Sequence, residues 1–297
     1  MNANTIAHER EQTISVVPTG APLGADIVGY DMRRAPTGAQ LEMIEKAWAE
    51  HLVLRFRGLQ GLTLDQLINF SRSLGPLDKR PIRGVVNGGA QNELPQEVTV
   101  ISNIVVEGKP IGGLGAYEAE WHSDMTYKET PPKASCLFSV EIPASGGNTS
   151  FVNMYKAYEE LPADLKRRVA SLRCVHDASR NSTGELRQGF KDVSDPRETV
   201  GAVHDIVRTH PVTGKKCLFL GRRRNAYVVG LPVDESEALL GELWQQSTRA
   251  ALRWTQVWKL GDAILWDNRC TMHQREAFDP TSRRLMYRTQ IAEGAVA

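Results

Sequence analysis

Apolar positions in the first third of the chain recur at helical spacing in two places and form short extended runs between them. Leu41, Ile44, Trp48 and Leu52 make one stripe; Leu64, Leu67 and Ile68 make a second. Thr37 with Gln40, and Thr63 with Gln66, stand just ahead of these stripes in the capping-box pattern. "ISVVPTGAPLGADIVGYD" reads as two short strands broken by Pro-Thr-Gly and Pro-Leu-Gly turns, and "LVLRFRG" as a strand between the helices. Residues 1–12 are polar and aperiodic and are expected to form a flexible tail.

Strands dominate the remainder. "ASCLFSVEIP" has the near-continuous apolar run of a buried strand, and "TSFVNM" follows it across a Ser-Gly-Gly-Asn turn. "IVRTHP" and "KKCLFLG" flank Pro-Val-Thr-Gly as a hairpin, while "WTQVWKLGDAILWDN" and "RRLMYRTQIA" are further strands. Helices are expected after Pro162 and over "ESEALLGELWQQSTRAALR". Three stretches lack periodicity: 82–98, the glycine-rich 107–120, and a charged insertion at about 178–201. The first two are candidate binding loops or lids, with plain flexible connection the alternative. The pattern suggests a mixed α/β chain dominated by β structure, with a double-sheet jelly roll in its C-terminal two-thirds; the length allows two domains or one long barrel, and 13–297 is expected to be a single domain.

Composition narrows the function. The net charge is +1 over 297 residues, which argues against a nucleic-acid binder. No apolar run reaches the roughly 18 residues of a membrane helix, and the polar start lacks a signal-peptide core, so a cytoplasmic location is expected. The four cysteines are widely separated and form no Cys-x-x-Cys pair, which fits buried free thiols.

The chemistry concentrates in "EWHSDMTY". On an extended segment His122 and Asp124 would point to one side and Ser123 to the other. An imidazole and a carboxylate suit a first-row divalent ion, and a second His would complete a two-His-one-carboxylate set. A His-x-Asp pair alone is more often a surface or hydrogen-bonded core pair than a metal site. His273, after an apolar strand and a polar turn, supplies a third partner, and Arg284 follows eleven residues later. Arg284, Met286 and Arg288 would share one face of a strand.

Together, "PTGAPLGADIVG", "WHSDMTY…PP", "IPASGGNTSFVNMYKAYEELP", "THPVTGKKCLF" and "GDAILWDNRCTMH…RR" resemble, in order, the motifs of the Fe(II)- and 2-oxoglutarate-dependent dioxygenases of the TauD/TfdA group, over about residues 13–292. The resemblance implies a double-stranded β-helix (jelly roll) with flanking helices. It implies that His122, Asp124 and His273 ligate Fe(II), and that O2 and 2-oxoglutarate are cosubstrates. Thr149 and Arg284 match the family's donors to the far carboxylate of 2-oxoglutarate; an Arg fork is suited to that group. The implied reaction hydroxylates an unactivated C–H bond of a small substrate and converts 2-oxoglutarate to succinate. The Asp ligand favours hydroxylation over halogenation, with desaturation or cyclisation still open. Members are commonly homo-oligomers.

Arg288 matches the residue that holds the sulfonate in the family's taurine enzyme, which implies an anionic substrate; an ion pair with a neighbouring acid is the alternative. Glu118 stands where the taurine enzyme has Asn, so taurine itself is not expected, and Tyr117 and Glu118 are candidate substrate contacts. Of Arg222, Arg223 and Arg224, adjacent on an extended segment, at most one or two could reach a ligand, and solvent or a subunit interface is the plainer expectation. His210 is assigned to turn packing, and His176 and His204 have no liganding partner at useful spacing. Two other classes fit parts of the pattern: a zinc hydrolase on the same three residues, and a binding protein that has lost catalysis.

Overall fold

The computed structural model describes residues 14–80 and 94–294. The expected N-terminal tail and positions 82–93 of the first irregular stretch lie outside the described residues. The N-terminal third alternates as its patterning predicts. β1 (Ser15–Pro18) and β2 (Ala25–Val28) pair antiparallel. α1 (Gly38–His51) begins at Thr37, whose hydroxyl accepts from the Gln40 N–H while the Gln40 side chain accepts from the Thr37 N–H. This satisfies two of the donors a helix start leaves open. β3 (Val53–Phe56) follows, and α2 (Leu64–Ser73) repeats the device with Thr63 and Gln66.

Next come β4 (Thr99–Ser102), β5 (Val105–Val106), β6 (Lys109–Pro110), β7 (Gly113–Leu114), β8 (Ala119–His122), β9 (Ala134–Glu141) and β10 (Thr149–Asn153). A short helical pair, α3 (Met154–Glu159) and α4 (Ala163–Val169), leads to β11 (Arg173–Val175). After the charged insertion, β12 (Val203–Asp205) precedes the expected hairpin of β13 (Val207–Thr209) and β14 (Lys216–Leu218). β15 (Tyr227–Val228), α5 (Val233–Ser247), β16 (Arg253–Gln256), β17 (Ala263–Asp267), β18 (Thr271–Arg275) and β19 (Leu285–Ile291) complete the chain. Among the described residues no helix is long and apolar enough to cross a membrane, and all four cysteines are buried and free.

Two sheets position the site. The larger has eight strands in the order β1-β2-β3-β17-β9-β19-β4-β7, and the smaller has four, β16-β10-β18-β8. The apolar runs of β9 and β17 have a simple cause: both faces of these strands are covered. Leu137, Ile264 and Trp266 point into the core shared with Phe151 and Met272 of the smaller sheet. Their neighbours Cys136, Phe138, Ala263 and Leu265 point the other way, against Ile44, Trp48 and Phe70 of the helices. Alternation is present in the geometry but invisible in the sequence, because burial on both faces demands apolar residues at every position. The sheets meet where the Trp266 ring packs on Phe151 and His273, with ring centroids 5.6 and 4.9 Å apart.

Candidate metal centre

Three buried residues converge between the sheets. His122 ends β8, His273 lies in the middle of β18, and the two are directly opposed across the strand pair, ring centroids 4.2 Å apart. Asp124 is not on a strand. It sits in the turn after β8, so the expectation that strand alternation aligns it with His122 is corrected. The turn carries its carboxylate back towards both rings, Oδ1 lying 3.7 Å from His122 Nε2 and 3.9 Å from His273 Nε2. One ligand atom from each residue lies within 4.8 Å of the others, an arrangement that could hold a metal ion.

The turn is held by Asn268, just after β17. Its Oδ1 accepts from the Asp124 N–H at 2.6 Å, and its Nδ2 donates to the carbonyls of Asp124 and Pro132 at 2.8 and 2.9 Å. The hydroxyl of Ser135, on β9, donates to Asp124 Oδ2 at 2.7 Å and Arg288, on β19, donates to Oδ1 at 3.1 Å. His122 Nδ1 lies 2.6 Å from the Glu120 carbonyl. A carbonyl only accepts, so Nδ1 carries the proton and Nε2 presents its lone pair to the cluster. Sequence reasoning passed over Asn268 and Ser135; the "WDN" run after an apolar strand was the available signal for the former.

Electrostatics keep these donors in ligand form. Burial, reinforced by the charges of His273 and Arg222, pushes His122 well below its ordinary value, and burial takes His273 down to about 4. Burial alone would raise Asp124, but Arg288, both imidazoles and the Ser135 hydroxyl hold it below the usual carboxylate range. Neutral imidazoles and an ionised carboxylate are the forms that bind a divalent ion.

Arg284 lies one residue before β19, almost fully buried, and its Nε and Nη1 have no hydrogen-bond partner. Burial and the nearby Arg275 lower it to about 9. It lines a cavity of about 100 Å³ with Gly146, Gly147 and Trp258. Gly147 has φ 66°, and a Cβ there would sit 3.2 Å from Pro143 Cγ and 3.5 Å from Arg284 Nε. Glycine is thus favoured by the backbone conformation and by the close approach of Pro143. Trp258 donates its indole N–H to Thr149 Oγ1 at 3.1 Å, which leaves the Thr149 hydroxyl proton free to donate.

Tyr117 and Glu118 are not brought to this cluster. Tyr117 is 73% exposed, and Glu118 bonds Gln274, the neighbour of His273 that faces the opposite side of β18. Glu118, Trp121, Arg223, Trp244 and Gln274 line a larger open groove of about 620 Å³. Because Trp121 and Gln274 each adjoin a cluster His on its strand, that groove lies on the outer face of the smaller sheet. The arginine run divides: Arg223 pairs with Glu237 of α5 at 2.7 Å and Arg224 is exposed, but Arg222 forms an antiparallel bridge with His122.

A second group, His210, Asp267 and Cys270, is also close enough to suit a metal. Its carboxylate is already engaged by Arg269 at 2.9 and 2.6 Å and by His210 at 3.1 Å, and burial holds the Cys270 thiol well above its ordinary value. His210 Nδ1 accepts from the N–H groups of Val212 and Thr213, tying off the hairpin turn. This is a structural knot.

Two imidazoles and one carboxylate, buried between two sheets, form the donor set of the non-haem iron(II) oxygenases. The family comparison agrees: a model described as "Taurine catabolism dioxygenase TauD, TfdA family" matches residues 15–290, and the chain belongs to that family. It is 36% identical over 281 residues to the alpha-ketoglutarate-dependent 2,4-dichlorophenoxyacetate dioxygenase of Cupriavidus pinatubonensis, covering 92% of this chain and 95% of that one. It is 32% identical over 298 residues to pentalenolactone F synthase of Streptomyces avermitilis, covering 93% of each. The crystal structure of AAD-2 in complex with Mn(II) and N-oxalylglycine superposes with a TM-score of 0.78 at 28% identity, over 95% of this chain and 98% of that one. The protein is a 2-oxoglutarate-dependent dioxygenase, an oxidoreductase using Fe(II), 2-oxoglutarate and O2.

Proposed function

We propose that His122, Asp124 and His273 hold the ferrous ion, that Arg284 and Thr149 hold the distal carboxylate of 2-oxoglutarate, and that Arg288 takes an anionic group of a small organic substrate whose C–H bond is hydroxylated. The two sheets are on this reading the halves of a double-stranded β-helix, and residues 13–297 one catalytic domain. The observation that carries the proposal is Arg284. A buried guanidinium with two unsatisfied N–H groups is costly to maintain, and a bidentate carboxylate is the partner its geometry fits. A hydrolytic zinc site would leave that group without a purpose.

When bound, the ferrous ion supplies the oxidative chemistry that splits 2-oxoglutarate to succinate and carbon dioxide and oxidises the substrate. The chain's own part is to bind, orient and exclude water. The Glu120 carbonyl and Asn268 fix the directions of His122 and Asp124. Phe151 and Trp266 wall off His273 from one side. Arg288, drawn to Asp124 Oδ1, stands beside the cluster where it can pair with a substrate anion. The relative from Cupriavidus pinatubonensis is named for an aryloxyacetate, which supports a carboxylate-bearing substrate.

The test is anaerobic addition of Fe(II) and 2-oxoglutarate, followed by visible absorption, and then aerobic succinate release with aryloxyalkanoates, alkyl sulfates, sulfonates and acylated amino acids. A metal-to-ligand absorption that disappears in His273→Ala is expected. Well-folded protein that binds Fe(II) but not 2-oxoglutarate would refute the proposal.

A further inference from the structure

A row of directly opposed residues crosses the smaller sheet. Trp254 faces Phe151, Phe151 faces His273, His273 faces His122, and the row continues through the isolated bridge from His122 to Arg222. Directly opposed residues project from the same side of a sheet. Arg222 therefore lies on the metal-cluster face, one strand spacing of about 4.8 Å beyond His122. It is half-buried. One guanidinium nitrogen donates to the Arg180 carbonyl at 2.7 Å, while its buried Nε has no partner. Among the described residues no carboxylate lies within ion-pair distance of it. Arg223 has Glu237, Arg180 has Asp192 and Arg288 has Asp124, whereas Arg222 and the nearby Arg187 make no such pair.

We infer that Arg222 is a second substrate-anion contact, opposite Arg288, and that the substrate's oxyanion is gripped between the two guanidinium groups. Arg222 comes from the segment beside the smaller sheet and Arg288 from the larger, so the pair spans the mouth between them. Charge supports this. Asp124 is the acid at the cluster, and it bonds Arg288 directly; Arg222 feels Asp124 and Asp177 only at longer range and pairs with neither. Arg187 is a second cation close to Arg222. An arriving anion would relieve that repulsion. The class of ligand is a small molecule with a carboxylate or a sulfate, whose oxygens can accept from two forks at once. The Arg180 carbonyl that holds Arg222 in place belongs to the charged insertion, which gives that insertion a role in substrate choice.

This inference rests on the function proposed above, and the experiment separates the two. Protein loaded with Mn(II) and N-oxalylglycine, which cannot turn over, is titrated calorimetrically with 2,4-dichlorophenoxyacetate, hexyl sulfate and the neutral amide of the first. Wild-type protein is expected to bind at least one anion more tightly than the amide. Arg222→Gln should bind Mn(II) and N-oxalylglycine as the wild type does but lose at least tenfold in anion affinity, the loss expected for one charge-assisted hydrogen bond. Arg222→Lys should recover part of it. Wild-type protein that fails to take up Mn(II) and N-oxalylglycine overturns both readings. An anion affinity unchanged in Arg222→Gln, no preference for anions over the amide, or loss of N-oxalylglycine binding in the variant each overturns this one alone.

Discussion

Asn268→Ala offers a sharp test of how Asp124 is placed. The side chain makes three hydrogen bonds, to the N–H and the carbonyl of Asp124 and to the Pro132 carbonyl, and both Asn268 and Asp124 are nearly inaccessible. Truncation strands one buried donor and two buried acceptors. Each stranded group costs about 1–3 kcal/mol, and water entering the vacated space would recover part of the total. The expected loss is about 3–5 kcal/mol, a large share of the roughly 5–15 kcal/mol that holds a domain folded. Asn268→Asp keeps the acceptor for the Asp124 N–H but turns an oxygen towards two carbonyls, and should cost nearly as much despite its near-identical shape. Urea unfolding of metal-free protein, followed by circular dichroism, gives the stability change. Competition with a metal-binding dye gives the affinity for Mn(II), expected to fall about 10- to 100-fold as the ligand loses its support. If Asn268→Ala stays within about 1 kcal/mol of the wild type and binds Mn(II) equally well, the turn holds Asp124 without the amide and the reasoning fails.

Other consequences can be checked separately. Arg284→Lys should weaken 2-oxoglutarate binding at least tenfold while leaving Mn(II) affinity unchanged, since a point charge cannot replace a planar fork; an unaltered dissociation constant would remove Arg284 from that role. Gly147→Ala, at φ 66° and facing Arg284 Nε, should destabilise the protein by about 1–2 kcal/mol and raise the KM for 2-oxoglutarate, both measurable on one preparation. For Asp267, burial opposes ionisation but Arg269 and His210 prevail and hold the carboxyl at about 2, below its ordinary value. The folded form therefore favours the ionised state. The resulting stability, about 2–3 kcal/mol, is complete above about pH 5 and fades as the pH falls towards 2, with about half lost by pH 3. The stability gap between wild type and Asp267→Asn should shrink accordingly, and a gap constant from pH 6 to pH 3 would contradict this.

Local rules were enough where local forces decide. Thr37 and Thr63 open helices because their hydroxyls close backbone donors within three residues, and the Pro-Val-Thr-Gly turn makes a hairpin for similar reasons. The convergence of His122, Asp124 and His273 was anticipated from spacing and family resemblance, yet the means differed. Strand alternation does not align Asp124; an amide 144 positions away does. Nothing near Asp124 in the sequence could reveal that. The arginine run divides as adjacent residues of an extended segment must. Like-charged neighbours are usually solvated, but a single bridge to His122 turns Arg222 inward while Arg223 and Arg224 remain outside. Glu118 is a candidate because it matches a substrate-contacting position of the family's taurine enzyme, but it bonds Gln274, which faces the opposite side of β18 from His273.

The two-sided burial of β9 has a bearing on how this scaffold can change. Ser135 steadies the Asp124 carboxylate, and the very next residue, Cys136, is wedged among the helices on the far side of the same strand. The floor beneath the metal cluster is thus a party wall. A substitution in the helical layer that displaces the strand would disturb the ligand carboxylate without touching it, so the floor tolerates little drift. Altered substrate preference should instead arise around the rim, in the segments that carry Arg222 and Arg180, which lie outside the strands of both sheets and are tied in through an isolated bridge and a side-chain bond.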